Sequence, residues 1–172
     1  MIKKLYILAG RVPALNKKGD QLVCYQRLRC LITSEVDVTL VLVFGFLQGF
    51  SLGDIENFRK EFPDVTVVIY RVSIVDVLRT LVSRTFRLNI IPAQCILYES
   101  WAAKDFMRSL ELGRCTRVYV STIRLAPIVD DEHFRDVTVV ELVDSLSLNL
   151  HRGMKRSVAR SLLYGLEHRL LS

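Results

Sequence analysis

The stretch Val36-Asp37-Val38-Thr39-Leu40-Val41-Leu42-Val43-Phe44-Gly45-Phe46 decides the fold. It is nearly continuous in Val, Leu and Phe, with no sustained alternation of polar and apolar positions. A strand reads this way when both its faces are covered, as in a parallel sheet held between helix layers. The apolar run from Val38 to Leu47 is only about half of the ~20 residues that a membrane-spanning helix needs. Its Val content suits a buried strand.

Toward the N-terminus, Lys4 to Ala9 reads as a short apolar strand ending at Gly10. A loop with Pro13, Lys17, Lys18 and Gly19 follows, because these residues break or solvate regular structure. From Asp20 to Ser34, Cys24, Leu28, Leu31 and Ile32 recur at helical spacing while Gln26, Arg27 and Arg29 fall elsewhere on the circle. Beyond the deciding strand, Ser51 and Asp54 have the spacing of a capping box ahead of Ile55, Phe58 and Phe62, and Pro63 stops that helix. Val65 to Val72 is a third strand. Ser73 and Asp76 repeat the capping arrangement before a helix that carries Val75, Leu78, Leu81, Val82 and Phe86.

Pro92 opens a further helical segment that runs from Ala93 to Leu112, with a break near Ser100, and stops at Gly113. Arg117 to Leu125 and Val137 to Val143 read as the fourth and fifth strands, separated by Pro127 and the acidic run Asp130, Asp131, Glu132. A last amphipathic helix carries Met154, Val158, Leu162, Leu166 and Leu170. Strands alternating with helices through short connections predict one α/β domain over residues 1–172. Its expected architecture is Rossmann-like and doubly wound, with a mainly parallel sheet in a three-layer α/β/α arrangement.

The composition, 51% apolar and 24% charged, is that of a folded domain. Cys24, Cys30, Cys95 and Cys115 form no C-x-x-C pair, which argues against a disulfide framework or zinc site. The apolar stretch Leu5 to Ala9 is too short for the core of a signal peptide. A cytoplasmic chain is the expectation. A formal net charge of +6 favours an anionic partner such as lipid headgroups, a phosphorylated acceptor or nucleic acid, or else only a solvated basic surface. The basic residues lack the interleaved aromatics of a nucleic-acid platform, so no nucleic acid is expected. His133, His151 and His168 are scattered along the chain, and no metal site is expected.

In an open parallel sheet, ligands bind beyond the carboxyl ends of the strands. That rule nominates the loops Gly10 to Asp20, Gly45 to Ser51, Arg71 to Ser73, Arg124 to Pro127 and Asp144 to His151. Gly19 stands just before a helix, where backbone N–H groups can receive an anion, or it is simply the turn into that helix. Arg124 offers a bidentate guanidinium or a surface salt bridge. Asp144, with Ser145, offers a carboxylate and hydroxyl to sugar hydroxyls or to a proton, or caps a helix. Neither G-x-G-x-x-G nor G-x-x-x-x-G-K-[ST] occurs, and there is no G-x-S-x-G or H-E-x-x-H. Gly45, Gly49 and Gly53 match no phosphate-binding spacing and receive no function.

Pro92-Ala93-Gln94 with Tyr98 and Ser100, then Arg117 to Arg124, then Val139 to Ser147, Arg152 and Tyr164 to Glu167 together resemble one branch of a known family. So does Lys18-Gly19-Asp20 ahead of a helix bearing Arg27. The family is the family-4-like GT-B glycosyltransferases, in their N-terminal, acceptor-side domain, and most closely the sugar transferases of bacterial surface-polysaccharide pathways. The resemblance implies a cytoplasmic enzyme, of hexosyltransferase type, moving a sugar from a nucleotide-sugar donor to a glycan or lipid-linked acceptor. The nucleotide-sugar is a co-substrate of the full enzyme, and no cofactor is expected on this domain. Gly19 would approach the donor phosphate or sugar. Gln94, Ser100, Arg124, Asp144 and Ser145 would line the acceptor side, with Asp144 and Arg124 the candidates for catalysis.

The family carries its donor-binding residues, including a pair of glutamates eight positions apart, in a second Rossmann domain, and no two of this chain's glutamates have that separation. The expectation is therefore an acceptor domain lacking its C-terminal donor partner and inactive alone. A basic surface that includes Arg152, Lys155, Arg156 and Arg160 would hold it against the inner face of the membrane. The alternatives are a non-catalytic α/β binding or interaction module and a small nucleotide-binding regulator using the Gly19 loop and Asp144.

Overall fold

The structure is a computed structural model, and it describes residues 2–17, 19–32, 36–87 and 93–141. The chain runs β1 (Lys4–Ala9), α1 (Asp20–Ile32), β2 (Asp37–Phe44), α2 (Leu52–Glu61), β3 (Thr66–Arg71), α3 (Ile74–Arg87), α4 (Ala93–Ile96), α5 (Trp101–Arg108), β4 (Thr116–Val120) and β5 (Thr138–Val140). Two 3-10 turns, Ile123–Ile128 and Glu132–Phe134, join β4 to β5.

The five strands lie in the order β3-β2-β1-β4-β5 and all pair in parallel. At mid-sheet Ile7 is flanked by Leu40 on one side and Tyr119 on the other. The strand read as deciding the fold is β2, buried along its whole length after Asp37. Its alternate residues feed two cores. Leu40, Leu42 and Phe44 join Ile7 and Ala9 under Tyr25 and Leu28 of α1 and Ile55 and Phe58 of α2. Val41 and Val43 join Leu8 and Val120 under Ala103 and Met107 of α5 and Leu125 and Ile128 of the first 3-10 turn. The expected three-layer, doubly wound α/β fold is what the structure shows.

Local signals explain the helix starts. Ser51 Oγ accepts from Asp54 N at 3.4 Å and so caps α2. Ser73 and Asp76 form a reciprocal box: Asp76 N donates to Ser73 Oγ at 3.1 Å, and Ser73 N donates to Asp76 Oδ2 at 2.9 Å.

Some boundaries differ from the sequence reading. The segment from Ala93 to Leu112 divides into α4 and α5, because Ser100 Oγ accepts from Ala103 N and starts a new helix. The fourth strand ends at Val120 rather than Leu125. Pro127 lacks an N–H to pair across a sheet, and the chain turns at Thr122 into the 3-10 turn that contains it. The last predicted helix, Met154 to Leu170, lies outside the described residues. Among the described residues no helix is long and apolar enough to cross a membrane.

Candidate functional site

Parallel order sends all five strand exits to one end of the sheet, so the loops nominated by the sequence share that end. The exits of β1 and β2 are stapled together there. Gln48 Nε2 donates to the Gly10 carbonyl at 2.8 Å, and Gly45 N donates to Gln48 Oε1 at 3.4 Å. Tyr98, from the turn after α4, lies across both exits. A Cβ on Gly10 would be 3.2 Å from its Cε1, and a Cβ on Gly45 would be 3.0 Å from its Cζ. Phe46 N donates to the Leu97 carbonyl at 2.9 Å and ties that turn down.

Between these exits opens a cleft of about 230 Å³, walled by Arg11, Val12 and Gln21 from the β1 side and by Gln48, Gly49, Phe50, Ser51 and Asp54 from the β2 side. Gln21 Nε2 holds the Val12 carbonyl at 2.8 Å and fixes the loop that carries Arg11. The Arg11 guanidinium is half-exposed and lies 3.6 Å from Asp20 Oδ1, which leaves most of its donors to the cleft. Ser51 Oγ accepts one hydrogen bond in the α2 cap and keeps its hydroxyl proton to donate. The lining contains no histidine, cysteine or lysine. It can hold a polyol by hydrogen bonds and a weak anion at Arg11, which is binding chemistry.

Gly19 has φ +68, a left-handed conformation that favours glycine at the turn into α1. Asp20 occupies the start of that helix with its own carboxylate, since Gln21 N donates to Asp20 Oδ1 at 3.1 Å. An incoming phosphate would have to displace it. Ser100 is buried and its hydroxyl caps α5. Gln94 falls on α4, and its side chain lies outside what the structure describes. Arg124 stands half-buried on the 3-10 turn after β4, and no described carboxylate pairs with it. Asp144 and Ser145 lie outside the described residues.

Two features escaped the sequence reading. The cleft residues Arg11, Gln21 and Gln48 belong to no motif, and Gln48 was passed over along with its neighbouring glycines. Glu99 and Lys104 form a buried ion pair at 3.0 Å beside the start of α5, and an acid and a lysine five positions apart carry no sequence signal. Trp101, between them, has Lys104 Nζ 5.6 Å from its ring centroid and the Arg79 guanidinium 4.0 Å away.

A larger, apolar groove of about 760 Å³ runs along α1 over β1, β4 and β5, lined by Leu5, Val23, Leu31, Tyr119 and Val139. Arg27, the arginine of the first helix, lies there with its guanidinium 4.8 Å from the Tyr119 ring and paired with Glu141. This groove lies toward the starts of β1 and β4, away from the strand exits, and its lining is mostly apolar. The cleft is the better candidate site. Among the described residues no group of His, Cys, Asp or Glu could hold a metal ion. Comparison of the chain with protein-family models, curated proteins and solved structures found no match.

Proposed function

We propose that this chain is the acceptor-binding domain of a glycosyltransferase of GT-B type. In this reading it holds a glycan or lipid-linked acceptor while a separate domain presents the nucleotide-sugar, in the synthesis of cell-surface polysaccharide. The observation that carries the reading is the polar cleft between the exits of β1 and β2, on a parallel sheet of order β3-β2-β1-β4-β5. Its hydrogen-bonding groups, Arg11, Gln48 and Ser51, suit hydroxyls and a phosphate, and the sequence resemblance implies an acceptor held on this domain. Asp144, Ser145 and Arg124 would complete the acceptor side. The protein would work in the cytoplasm against the inner face of the membrane.

The test is a titration of the isotope-labelled chain, followed by NMR, with a water-soluble phosphate-linked monosaccharide and separately with nucleotide-sugars. The expected result is shifts at Arg11, Gln48 and Ser51 with the glycan, weakened about tenfold by Gln48→Ala, the loss of a hydrogen bond to an uncharged partner. Shifts with nucleotide-sugar alone would replace the reading by a nucleotide-binding regulator. No shift with any of them would leave the non-catalytic interaction module.

A further inference from the structure

On the side of the sheet that carries α1 and α2, Ile7, Tyr119 and Val139 are paired in register across β1, β4 and β5 and form one row. Ile7 is fully buried and Tyr119 nearly so, whereas Val139 is 60% exposed. The cover thins outward from α1, and its open end is the apolar groove lined by Leu5, Val23, Leu31, Tyr119 and Val139. The same wall holds a polar group in want of a partner: Tyr119 Oη is buried and makes no hydrogen bond among the described residues. On the opposite face the outer strands are closed, with Val118 and Val120 of β4 under Met107 of α5 and Leu125 and Ile128 of the first 3-10 turn. An all-parallel sheet has both faces covered, so the groove marks where a layer is incomplete.

The chain carries a segment that fits. The described residues end just after β5 at Glu141, whose carboxylate pairs with Arg27 of the groove lining, so the polypeptide leaves the sheet beside the groove. Beyond it the sequence places Met154, Val158, Leu162, Leu166 and Leu170 at four-residue steps, with Arg156, Arg160 and Glu167 elsewhere on the circle. As a helix, Met154 to Leu170 would be about 25 Å long, against about 20 Å for a six-residue strand such as β1. The stretch from Glu141 to Met154 can span up to about 40 Å, enough to turn from the end of β5 onto the α1 face. A tether of that length holds the stripe near the groove at about millimolar effective concentration, which a second copy would have to match in solution. We infer that Met154 to Leu170 is the helix that completes this face, docked beside α1 with Leu162 and Leu166 over Tyr119 and Val139. The groove then belongs to the core, Arg156 and Arg160 face outward, and the cleft between the β1 and β2 exits is left as the open site.

The inference stands apart from the acceptor reading, and its test needs no ligand. The full chain, with its valine and leucine methyl groups labelled, is followed by NMR for through-space contacts. The Val139 methyls are expected to meet those of Leu162 or Leu166. A second sample mixes chains labelled only at valine with chains labelled only at leucine, so that any contact seen there joins two copies, and none is expected. Leu162→Asp should move the Val139 methyl signals toward those of a solvated valine and lower the urea midpoint. Arg160→Asp, on the opposite side of the predicted helix, should do neither. The inference falls if Val139 meets no methyl of this segment in the wild-type chain, a reading that depends on no variant folding. It falls equally if the contacts appear in the mixed sample, since a second copy would then fill the groove, or if Leu162→Asp moves the Val139 signals no further than Arg160→Asp.

Discussion

At position 45 a Cβ would stand 3.0 Å from Tyr98 Cζ and 3.2 Å from the Leu97 carbonyl oxygen, and at position 49 it would meet nothing within 4 Å. Gly45→Ala must therefore push back a ring wedged over both strand exits, at a cost of about 1–3 kcal/mol, whereas Gly49→Ala should stay within about 0.5 kcal/mol. Urea denaturation of the two variants checks this, and equal costs would mean that Tyr98 does not sit over Gly45. The glycines look alike in the sequence because Tyr98, which distinguishes them, arrives from a distant segment. Cys24 yields a second expectation. Burial, reinforced by Asp20, pushes its thiol up to about 12. An unfolded cysteine ionises near 8.5, so above that pH the unfolded chain has released a proton that the folded chain keeps, and stability falls as pH rises. The slope should approach about 1.4 kcal/mol per pH unit between about pH 8.5 and 9.5, below the tyrosine range, and Cys24→Ala should flatten it. Native protein should also react with a thiol reagent at the exposed Cys30 and Cys115, and at the buried Cys24 and Cys95 only after unfolding.

Helices α2 and α3 both carry apolar residues at helical spacing behind a serine cap, yet one stripe is buried and the other exposed. Phe58 is 3% exposed in the core beneath α2, so Phe58→Ala should cost about 3–5 kcal/mol. Leu78→Ala should cost within about 0.5 kcal/mol, and thermal unfolding of the pair decides it. A loss at Leu78 as large as that at Phe58 would show that α3 turns its stripe inward. Periodicity makes the existence and the apolar side of both helices legible, but it cannot say which side meets the sheet. For α3 that is settled by Asp76 and Thr80 gripping Trp101, a tertiary contact between residues that carry no shared signal. The end of β4 was overrun for a related reason: Leu125 is apolar and buried like a strand residue, but it reaches the core from a 3-10 turn.

In the whole molecule the uninterrupted apolar run of β2 made the layered parallel sheet legible, since only a strand covered on both faces needs such a run. Strand order was not encoded in any local pattern, and it is strand order that brings the β1 and β2 exits together as the walls of the cleft. The rule for parallel sheets pointed to the end of the domain where the cleft opens. It could not single out Arg11, Gln21 and Gln48, whose joint position depends on two loops meeting. The same order makes a prediction about cooperativity. β1 is paired on both sides, with Ile7 and Leu8 registered against β2 and β4, whereas β3 is an edge strand with a half-exposed face. Amides open in proportion to how little of the surrounding structure must open with them. The Ile7 and Leu8 amides should therefore exchange only on global unfolding, with the steepest dependence on added urea, while those of Val68 and Tyr70, which pair with β2 alone, exchange faster through local opening with a shallower dependence. Protection of β3 equal to that of β1 would mean that this edge is covered by something other than solvent.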